Sequence, residues 1–220
     1  SLLVTAGPTV EALDPARIMS NRSSGRMGVM LAQAARWRGA RVELIHGPLQ
    51  LPDAWLEGLS CHPVESAQAM ESALMDLQPG VDAVAMAAAV ADLRRRGGAL
   101  AEKPAKATLT SVLSAEMEPV PDLLVGLAER RPPGQVLLGF AALSGQADSL
   151  LERARHKLIA KQCDFLFANP IDQPNQGFGS HLNGGWLLRR DGTEDQFLPQ
   201  CKLELANRLL DEIALQLPAL

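Results

Sequence analysis

The amino-acid sequence predicts an α/β fold that is Rossmann-like, with a mostly parallel central sheet, helices on both faces and a small β-ribbon accessory region. Short apolar segments of the buried-strand kind alternate with amphipathic helical patterns, and glycine or proline often separates them. Residues 82–87 form a nearly continuous apolar run, which is typical of a parallel strand covered on both faces. This βαβ alternation implies a parallel sheet with right-handed crossovers.

Strands are expected where short runs are rich in apolar or β-branched residues. These runs lie at 2–6, 41–46, 59–64, 82–87, 109–120, 135–142 and 164–169. The second run stops at Gly47-Pro48. Two further strands, at 186–188 and 196–198, flank Asp191-Gly192, a dipeptide that favours a hairpin turn, and we interpret them as the β-ribbon.

Helices are expected where apolar residues recur with a period near 3.6. These patterns lie at 27–38, 66–77, 121–131, 147–162 and 203–217. Start and stop signals support them: Ser66 caps the second and Pro121-Asp122 begins the third, while Gly39 and residues 132–134 end the first and third. We see no internal repeat and no linker, and so predict one domain.

The composition of the 220 residues excludes several function classes. The formal net charge is −4 and the pI is near 5.6, so a nucleic-acid-binding surface is not indicated. No apolar run approaches the roughly 20 residues of a membrane span, and no signal peptide is evident. Cys61, Cys163 and Cys201 are far apart, which suits a reducing, cytoplasmic compartment. Because the chain starts inside a strand without Met, we expect a domain, 1–220, excised from a longer polypeptide.

The stretch 20–28 combines serines, glycines and arginines between the first strand and the first helix, and we interpret it as an anion-binding loop. The N–H groups and the positive dipole end of the following helix point at this loop. Ser23 and Ser24 could bind a phosphate, although a helix cap is the simpler role for Ser24. Gly25 and Gly28 allow close backbone approach.

Two other groups of basic residues suit the same chemistry. The irregular segment 88–108 leaves the carboxyl end of a central strand, where open sheets bind ligands, so we favour a site loop over a solvated charge run. Lys157 and Lys161 lie one helical turn apart, so both ammonium groups can converge on one anion, with a solvated face as the alternative.

Several common site types are missing from the sequence. The first βα turn lacks Gly-x-Gly-x-x-Gly, and the second strand ends in His46-Gly47 rather than a ribose-binding acid, which weighs against an NAD(P)-dependent reductase. No phosphate loop with Lys before Ser/Thr and no Gly-x-Ser-x-Gly is present. The four histidines are scattered, so a histidine-built metal site is not expected.

At the level of motifs, Thr5-Ala6-Gly7-Pro8-Thr9 and residues 14–28 strongly resemble phosphopantothenoylcysteine synthetase, the synthetase half of the bifunctional bacterial coenzyme A biosynthesis protein. The similarity continues in order through Ala88-Ala89-Val90-Ala91-Asp92, Glu102-Lys103, Pro121-Asp122-Leu123-Leu124, Gly139-Phe140-Ala141-Ala142, Lys157 with Lys161, and Ala168-Asn169 with Gln176-Gly177-Phe178. It spans nearly the whole chain, and the ordered set is specific where any one motif is not.

This resemblance implies a CTP-dependent ligase. The carboxylate of 4′-phosphopantothenate would attack the α-phosphate of CTP, giving an acyl-cytidylate and pyrophosphate, and the amine of L-cysteine would then displace CMP. Mg²⁺ is expected on the triphosphate, with no protein ligand assigned. A homodimer is implied, with a flavin-dependent decarboxylase fused or associated, and no flavin in this segment.

The resemblance also assigns site residues. The CTP site falls on Ala88, Asp92, Lys103, Pro121, Asp122, Leu123, Leu124, Phe140, Lys157 and Lys161, with Ser23, Ser24 and Gly25 shaping the nucleotide pocket. Asn21 is similar to the family's catalytic asparagine, whose amide can donate to a developing oxyanion. Arg17 would lie beside the substrate, near the subunit interface. Lys103 would reach the phosphates from a mobile loop, 93–108.

Some residues depart from the family pattern. Pro8 stands where a second glycine is usual, Leu143 where a polar residue is common, and Pro104-Ala105 thins the lysines after Lys103. These departures favour an alternative, a non-catalytic nucleotide-binding subunit. Because Asn21 and the principal lysines are retained, we expect an active enzyme. No residue distinguishes CTP from ATP.

Overall fold

The computed structural model describes residues 1–174 and 176–217, with residues 112–115 described by their backbone alone. Within these ranges the strands are β1 (Leu2–Ala6), β2 (Val10–Asp14), β3 (Arg17–Ser20), β4 (Val42–His46), β5 (Ser60–Pro63), β6 (Ala83–Met86), β7 (Leu93–Arg95), β8 (Met117–Pro119), β9 (Val136–Leu143), β10 (Phe165–Pro170), β11 (Leu182–Arg189) and β12 (Glu194–Cys201). The helices are α1 (Arg26–Trp37), α2 (Ala67–Leu77), α3 (Lys106–Ala115), α4 (Leu123–Arg130), α5 (Ala147–Ala160) and α6 (Lys202–Gln216).

Eight strands form the central sheet, in the order β12-β11-β10-β9-β6-β1-β4-β5. Pairing is parallel from β5 through to β10 and antiparallel for β10 with β11 and β11 with β12. The chain runs outward from β1 to β4 and β5, and then returns to β6 on the other side of β1. Open α/β sheets bind ligands outside the carboxyl ends of their strands at such a reversal.

Helices cover both faces of this sheet, as predicted. Side chains alternate along β1, so that Val4 packs with α1 and α6 whereas Leu3 packs with α2, α4 and α5. Both leucine and valine are fully buried, and a buried side chain of this size contributes about 2 kcal/mol. In the described part of the chain, no helix combines the length and apolar character that crossing a bilayer requires.

The α/β class and nearly all the predicted main-sheet strands and helices are confirmed, but the structure differs from the expectation in three regions. The strand expected at 109–120 is wrong: Lys106–Ala115 is helical, and only Met117–Pro119 is extended. The β-branched residues there suggested a strand, yet the apolar spacing also fits a helix. The loop expected at 93–108 is shorter, because β7 pairs with β8 and α3 begins at Lys106.

The β-ribbon is the second difference in detail. The hairpin around Asp191-Gly192 exists, but β11 and β12 are longer than predicted and extend the main sheet. The small accessory elements are β2 with β3 and β7 with β8.

The third difference is the β2–β3 hairpin itself, which the sequence did not reveal. Its strands carry buried acids: Glu11 Oε1 accepts the Ala67 N–H at 2.8 Å, and Asp14 Oδ1 accepts those of Ala16 and Arg17 at 2.8 and 3.0 Å. Acidic residues at inward positions interrupt the alternation of apolar and polar residues by which a strand is predicted.

Candidate active site

A cavity of about 450 Å³ opens at the carboxyl ends of the central parallel strands. Its lining includes Met86 at the end of β6, residues 140–142 of β9 and Asn169 of β10. This volume lies within the range of small-molecule sites, roughly 300–1,000 Å³. The cavity therefore occupies the edge of the sheet at which ligand binding is expected.

The loop that follows β6 forms one wall of the cavity and is hydrogen-bonded to β1 and to the residues after it. Thr5 Oγ1 accepts the N–H of Ala88 at 3.0 Å, and Thr9 Oγ1 accepts that of Ala91 at 2.9 Å. Both threonines are fully buried. These bonds hold the segment 88–91, which the sequence analysis assigned to the nucleotide site, in a fixed position.

The first turn of α1 forms a second wall. Gly25 is the N-cap residue in a left-handed conformation (φ 81°), no side chain caps the helix, and the first turn holds no acid. The interpretation of Ser24 as the cap is therefore wrong, because glycine adopts this conformation without strain. Ser23 Oγ instead accepts the N–H of Gly25 at 3.3 Å. The positive end of the helix dipole faces the cavity, an arrangement that suits a phosphate.

Close packing of the protein on itself explains the glycines of this stretch. A Cβ at Gly28 would lie 2.6 Å from both Ala6 Cβ and the Thr5 carbonyl oxygen, and one at Gly25 would lie 2.2 Å from Leu49 Cδ2. The close backbone approach expected at these glycines therefore serves first to pack Gly28 of α1 against β1 and Gly25 against Leu49.

Asn21 lines the cavity and is anchored by its amide nitrogen. Nδ2 donates to the carbonyls of Ala89 at 3.1 Å and Val90 at 3.0 Å. Both amide hydrogens are thus occupied by the loop after β6, and the end left for a ligand is the acceptor, Oδ1. Donation to an oxyanion, the role expected from the sequence, would require one of these bonds to break.

An apolar surface lines another part of the cavity. Phe140 is half-buried and packs edge-on against Phe167, with ring centroids 5.8 Å apart. Leu123 and Leu124, at the start of α4, line the same cavity. A flat heteroaromatic ring suits such a surface.

Asp122 and Lys161 form an ion pair beside this surface. Asp122 Oδ1 caps α4 by accepting the N–H groups of Leu124 and Val125, while Oδ2 accepts from Lys161 Nζ at 2.7 Å. Burial opposes ionisation of Asp122, but Lys161 and the two N–H groups outweigh it and lower its pKa. The charge of Lys161 is consequently offset. Lys157 is exposed and lines the cavity, and it forms no ion pair within the described ranges.

The structure brings most of the predicted site residues together. Those that line the cavity are Asn21, Ser23, Ser24, Gly25, Ala88, Asp92, Pro121, Asp122, Leu123, Leu124, Phe140, Lys157 and Lys161. Two predicted residues, Arg17 and Lys103, are not among its lining in the described part of the chain.

Arg17 instead joins the β2–β3 hairpin to the segment that carries Lys103. Its Nε pairs with Asp14 Oδ2 at 3.0 Å, and its Nη2 donates to the Pro104 carbonyl at 2.9 Å. Lys103 directly precedes Pro104 and its side chain is exposed. Both residues therefore lie together on the hairpin side of the molecule.

Two further cations line the cavity: Arg26, which belongs to the predicted anion-binding loop 20–28, and Lys202, which the sequence did not indicate. Lys202 is 6% exposed and is the first residue of α6. A lysine at that position was the available signal, because the positive end of a helix favours acids and disfavours cations. Its burial could not be read from the sequence, since it depends on how α6 packs against the rest of the fold.

Asp92 is the carboxylate best placed to contact a metal ion that is bound to the phosphates of a small-molecule ligand. Of the two aspartates that line the cavity, Asp122 is paired with Lys161, whereas Asp92 is exposed with no described ion pair. Within 1–174 and 176–217 no cluster of three or more His, Cys, Asp or Glu residues could hold a metal by itself. The donors present fit a Mg²⁺ ion bound mainly by phosphate oxygens.

Comparison with known proteins gives consistent matches along the chain. A family model described as DNA/pantothenate metabolism flavoprotein C-terminal domain matches residues 1–216. The coenzyme A biosynthesis bifunctional protein CoaBC of Escherichia coli K12 is 38% identical over 214 residues, covering 97% of this chain and 51% of that protein. CoaBC of Bacillus subtilis is 36% identical over 215 residues, covering 97% and 50%. The chain thus spans about half the length of these relatives.

Solved structures match over nearly the full chain. The crystal structure of the C-terminal domain of CoaBC gives a TM-score of 0.77 at 33% identity, covering 97% of this chain and 93% of that chain. A histidine-to-alanine variant of Cab2 in complex with phosphopantothenate-cysteine gives 0.74 at 15% identity, covering 98% and 85%. At 15% identity, the second likeness shows the fold alone.

Proposed function

Because this chain belongs to the DNA/pantothenate metabolism flavoprotein C-terminal domain family, we propose that it is a phosphopantothenate–cysteine ligase of coenzyme A biosynthesis. The reaction joins the carboxyl group of 4′-phosphopantothenate to the amine of L-cysteine, with CTP as the activating co-substrate. The CoaBC relatives are named for bifunctional coenzyme A biosynthesis. A flavin-dependent decarboxylase fused to or associated with this domain is part of the same proposal.

The observation that carries the proposal is the composition of the cavity. An apolar surface around Phe140, the open N-terminus of α1 and several cations converge on one space at the sheet's carboxyl edge. A nucleoside triphosphate needs this combination, since its base requires a flat apolar contact and its phosphates require N–H groups and positive charge. The side-chain amide of Asn21 adds a neutral polar group at the same place.

In the activation step, the substrate carboxylate attacks the α-phosphorus of CTP, the bond to the bridging oxygen breaks, and pyrophosphate leaves. The N–H groups of the first α1 turn and Lys157 stabilise negative charge that develops on the phosphates. When bound, Mg²⁺ supplies further charge neutralisation on the triphosphate, and Asp92 is the residue that would hold it. Phe140 and Leu123 position the base.

In the second step, the cysteine amine attacks the activated carbonyl, CMP leaves, and an amide forms with loss of the amine's proton. Asn21 suits this step through Oδ1, which can accept from the incoming amine because Nδ2 is held by Ala89 and Val90. The bonds from Nδ2 fix the orientation of the side chain, so the acceptor is in place before the amine arrives.

The homodimer belongs to the proposal, with the β2–β3 hairpin near the interface. Arg17 and Lys103 lie together on the hairpin side of the molecule and do not line the cavity of their own subunit. The neighbouring Ile18 is 61% exposed. An interface here would let these cations serve the partner subunit's cavity. Mixing an Asn21→Ala protein with a Lys103→Ala protein tests this: sedimentation should give dimers, and the mixture should recover activity that neither parent has.

The ligand class is tested most simply by thermal unfolding with CTP and Mg²⁺, ATP and Mg²⁺, or NADPH. We expect stabilisation by CTP, and a competition assay between CTP and ATP measures the base preference. Stabilisation by NADPH alone would overturn the proposal in favour of a reductase. Nucleotide binding without any product would favour a non-catalytic nucleotide-binding subunit.

A further inference from the structure

Lys202 is a buried cation whose position has no structural explanation. Its side chain is 6% exposed and lines the cavity, and Nζ donates to the Gly177 carbonyl at 3.1 Å. In the described part of the chain no carboxylate pairs with it, so a single neutral carbonyl is its recorded partner. An ammonium group has three donors and loses much hydration free energy on burial.

The surroundings of Lys202 add to this cost. It is the first residue of α6, where the helix dipole disfavours positive charge. Burial, followed by the nearby positive charge of Arg26, lowers the pKa of Lys202 to about 8. A methionine would fill the same space without any of these penalties. Retention of a charge in such a place indicates that an anion normally compensates for it.

Arg26 is fixed next to Lys202 without a carboxylate partner of its own in the described ranges. Its Nη1 donates to His181 Nδ1 at 2.8 Å, and its guanidinium lies over the Trp55 ring, 5.4 Å from the centroid. The Arg26 Nε is buried with no hydrogen-bond partner. Two cations thus line one cavity with unmet donors, beside the uncapped start of α1.

From this arrangement, we propose that Lys202, assisted by Arg26, is a substrate-binding residue that holds a phosphoryl group in the cavity. The inference rests on the proposed function, which offers two phosphoryl sources: the terminal phosphates of CTP and the phosphomonoester of 4′-phosphopantothenate. The charge of Lys161 is offset by Asp122, so this pair offers no net positive charge to the negative charge of a polyphosphate. Lys202 and Arg26 supply the missing positive charge.

The test compares Lys202→Met with a matched control, Lys106→Met. Lys106 is also the first residue of a helix, but it is exposed and lies outside the cavity lining. Calorimetric titrations at pH 7 use CTP, CMP, 4′-phosphopantothenate and inorganic pyrophosphate as separate probes. The pyrophosphate probe does not depend on the ligase reaction.

We expect Lys202→Met to weaken at least one probe by about tenfold to a hundredfold, the range for a charge-assisted hydrogen bond. If Lys202→Met loses affinity for CTP and pyrophosphate but not for CMP, Lys202 holds the terminal phosphates of CTP. If it loses affinity for 4′-phosphopantothenate, Lys202 holds the phosphomonoester. Lys202→Arg should retain much of the binding, and Lys106→Met all of it. Affinities in Lys202→Met equal to the wild type for every probe would overturn the inference, as would failure of the wild type to bind any of them.

Proton uptake provides a second readout, which a merely structural lysine would not alter. At pH 8 a bound phosphoryl group should draw a proton onto Lys202, measurable by titrating in buffers of different ionisation enthalpy. The other charged groups lining the cavity are Arg26, Asp92, Asp122, Lys157 and Lys161, and His181 contacts Arg26. These groups are unchanged in Lys202→Met, so the difference in proton uptake belongs to Lys202, and equal uptake would contradict the inference.

Failure of this inference is distinguishable from failure of the proposed function. If the wild type releases pyrophosphate and forms the amide while Lys202→Met binds every probe normally, the inference alone fails. If the wild type forms no product yet loses pyrophosphate binding on Lys202→Met, the ligase proposal fails and the phosphoryl site stands. Melting temperatures of all variants confirm that each is folded.

Discussion

Replacing Lys202 by Met should make the ligand-free protein more stable while weakening its phosphoryl ligand. The pKa of Lys202 is lowered from 10.5 to about 8. At 1.36 kcal/mol per pKa unit, keeping this group charged at pH 7 costs the folded state about 3 kcal/mol. Loss of the bond to the Gly177 carbonyl returns about 1 kcal/mol of that gain. The net expectation is a stabilisation of about 2 kcal/mol.

The effect of pH has a definite sign. Below pH 8 the lysine is protonated in both folded and unfolded states, and the wild type carries the full penalty. Between pH 8 and 10.5 the folded state loses its proton while the unfolded state keeps it, so the stability of the wild type rises with pH. Lys202→Met has no such group. The difference in the free energy of unfolding between Lys202→Met and the wild type should therefore be largest at pH 7 and should shrink between pH 8 and 10.5.

Urea unfolding and thermal unfolding, both followed by circular dichroism at pH 7, 8, 9 and 10, measure this difference directly. At pH 7 the melting temperature of Lys202→Met should rise by about 4–8 °C for a protein of this size. Lys106→Met, whose lysine is exposed, should change little. The reasoning is refuted if Lys202→Met is no more stable than the wild type at pH 7, or if the difference between them is the same at every pH.

The remaining predictions concern the reaction, the packing and the cap. Asn21→Ala should retain pyrophosphate release but slow amide formation by about a hundredfold, measured by product analysis; equal loss of both steps would contradict its assignment to the cysteine step. Gly28→Val should lower the free energy of unfolding by at least about 2 kcal/mol because its Cβ would collide with β1, whereas Gly80→Ala, with nothing within 4 Å, should be nearly neutral in the same urea titration. Asp122→Ala should destabilise the protein by about 1 kcal/mol through the lost cap, while Asp122→Asn should keep the cap and lose only the ion pair with Lys161. Because the pKa of Asp122 is lowered, the stability that it confers together with Lys161 is present above pH 4 and should disappear as pH falls further; a stability difference between the wild type and Asp122→Asn that does not shrink in acid would count against the ion pair.

The sequence predicted the elements whose signals are local. Apolar runs placed β1, β6 and β9, and the cap at Ser66 was found because its hydroxyl accepts the N–H of Ala69 three residues on. The β2–β3 hairpin was missed because it carries buried acids, and one of them, Glu11, is satisfied by the distant helix α2. The strand prediction at 109–120 was wrong because the spacing of its apolar residues fits both a strand and a helix.

The site residues also fall into those that the sequence indicated and those that depend on tertiary packing. The loop 20–28 was predicted from its residues, and 121–124 from the resemblance of Pro121-Asp122-Leu123-Leu124 to a family motif; both are contiguous stretches at helix starts, and residues of both line the cavity. The sequence could not predict that Lys161 is neutralised by Asp122, 39 residues away, or that Lys202 is buried, since both depend on how α5 and α6 pack. Nor could it show that Arg17 contacts Pro104 rather than the cavity.

The central claim is that this chain ligates an acid to cysteine at the expense of a nucleotide. Incubation of the wild type with CTP, Mg²⁺, 4′-phosphopantothenate and L-cysteine, followed by chromatography and mass spectrometry, measures it most directly. We expect equal amounts of CMP, pyrophosphate and 4′-phosphopantothenoylcysteine, with no CMP when phosphopantothenate is omitted. Absence of both CMP and pyrophosphate, with substrates that a CoaBC relative converts in parallel, would contradict it.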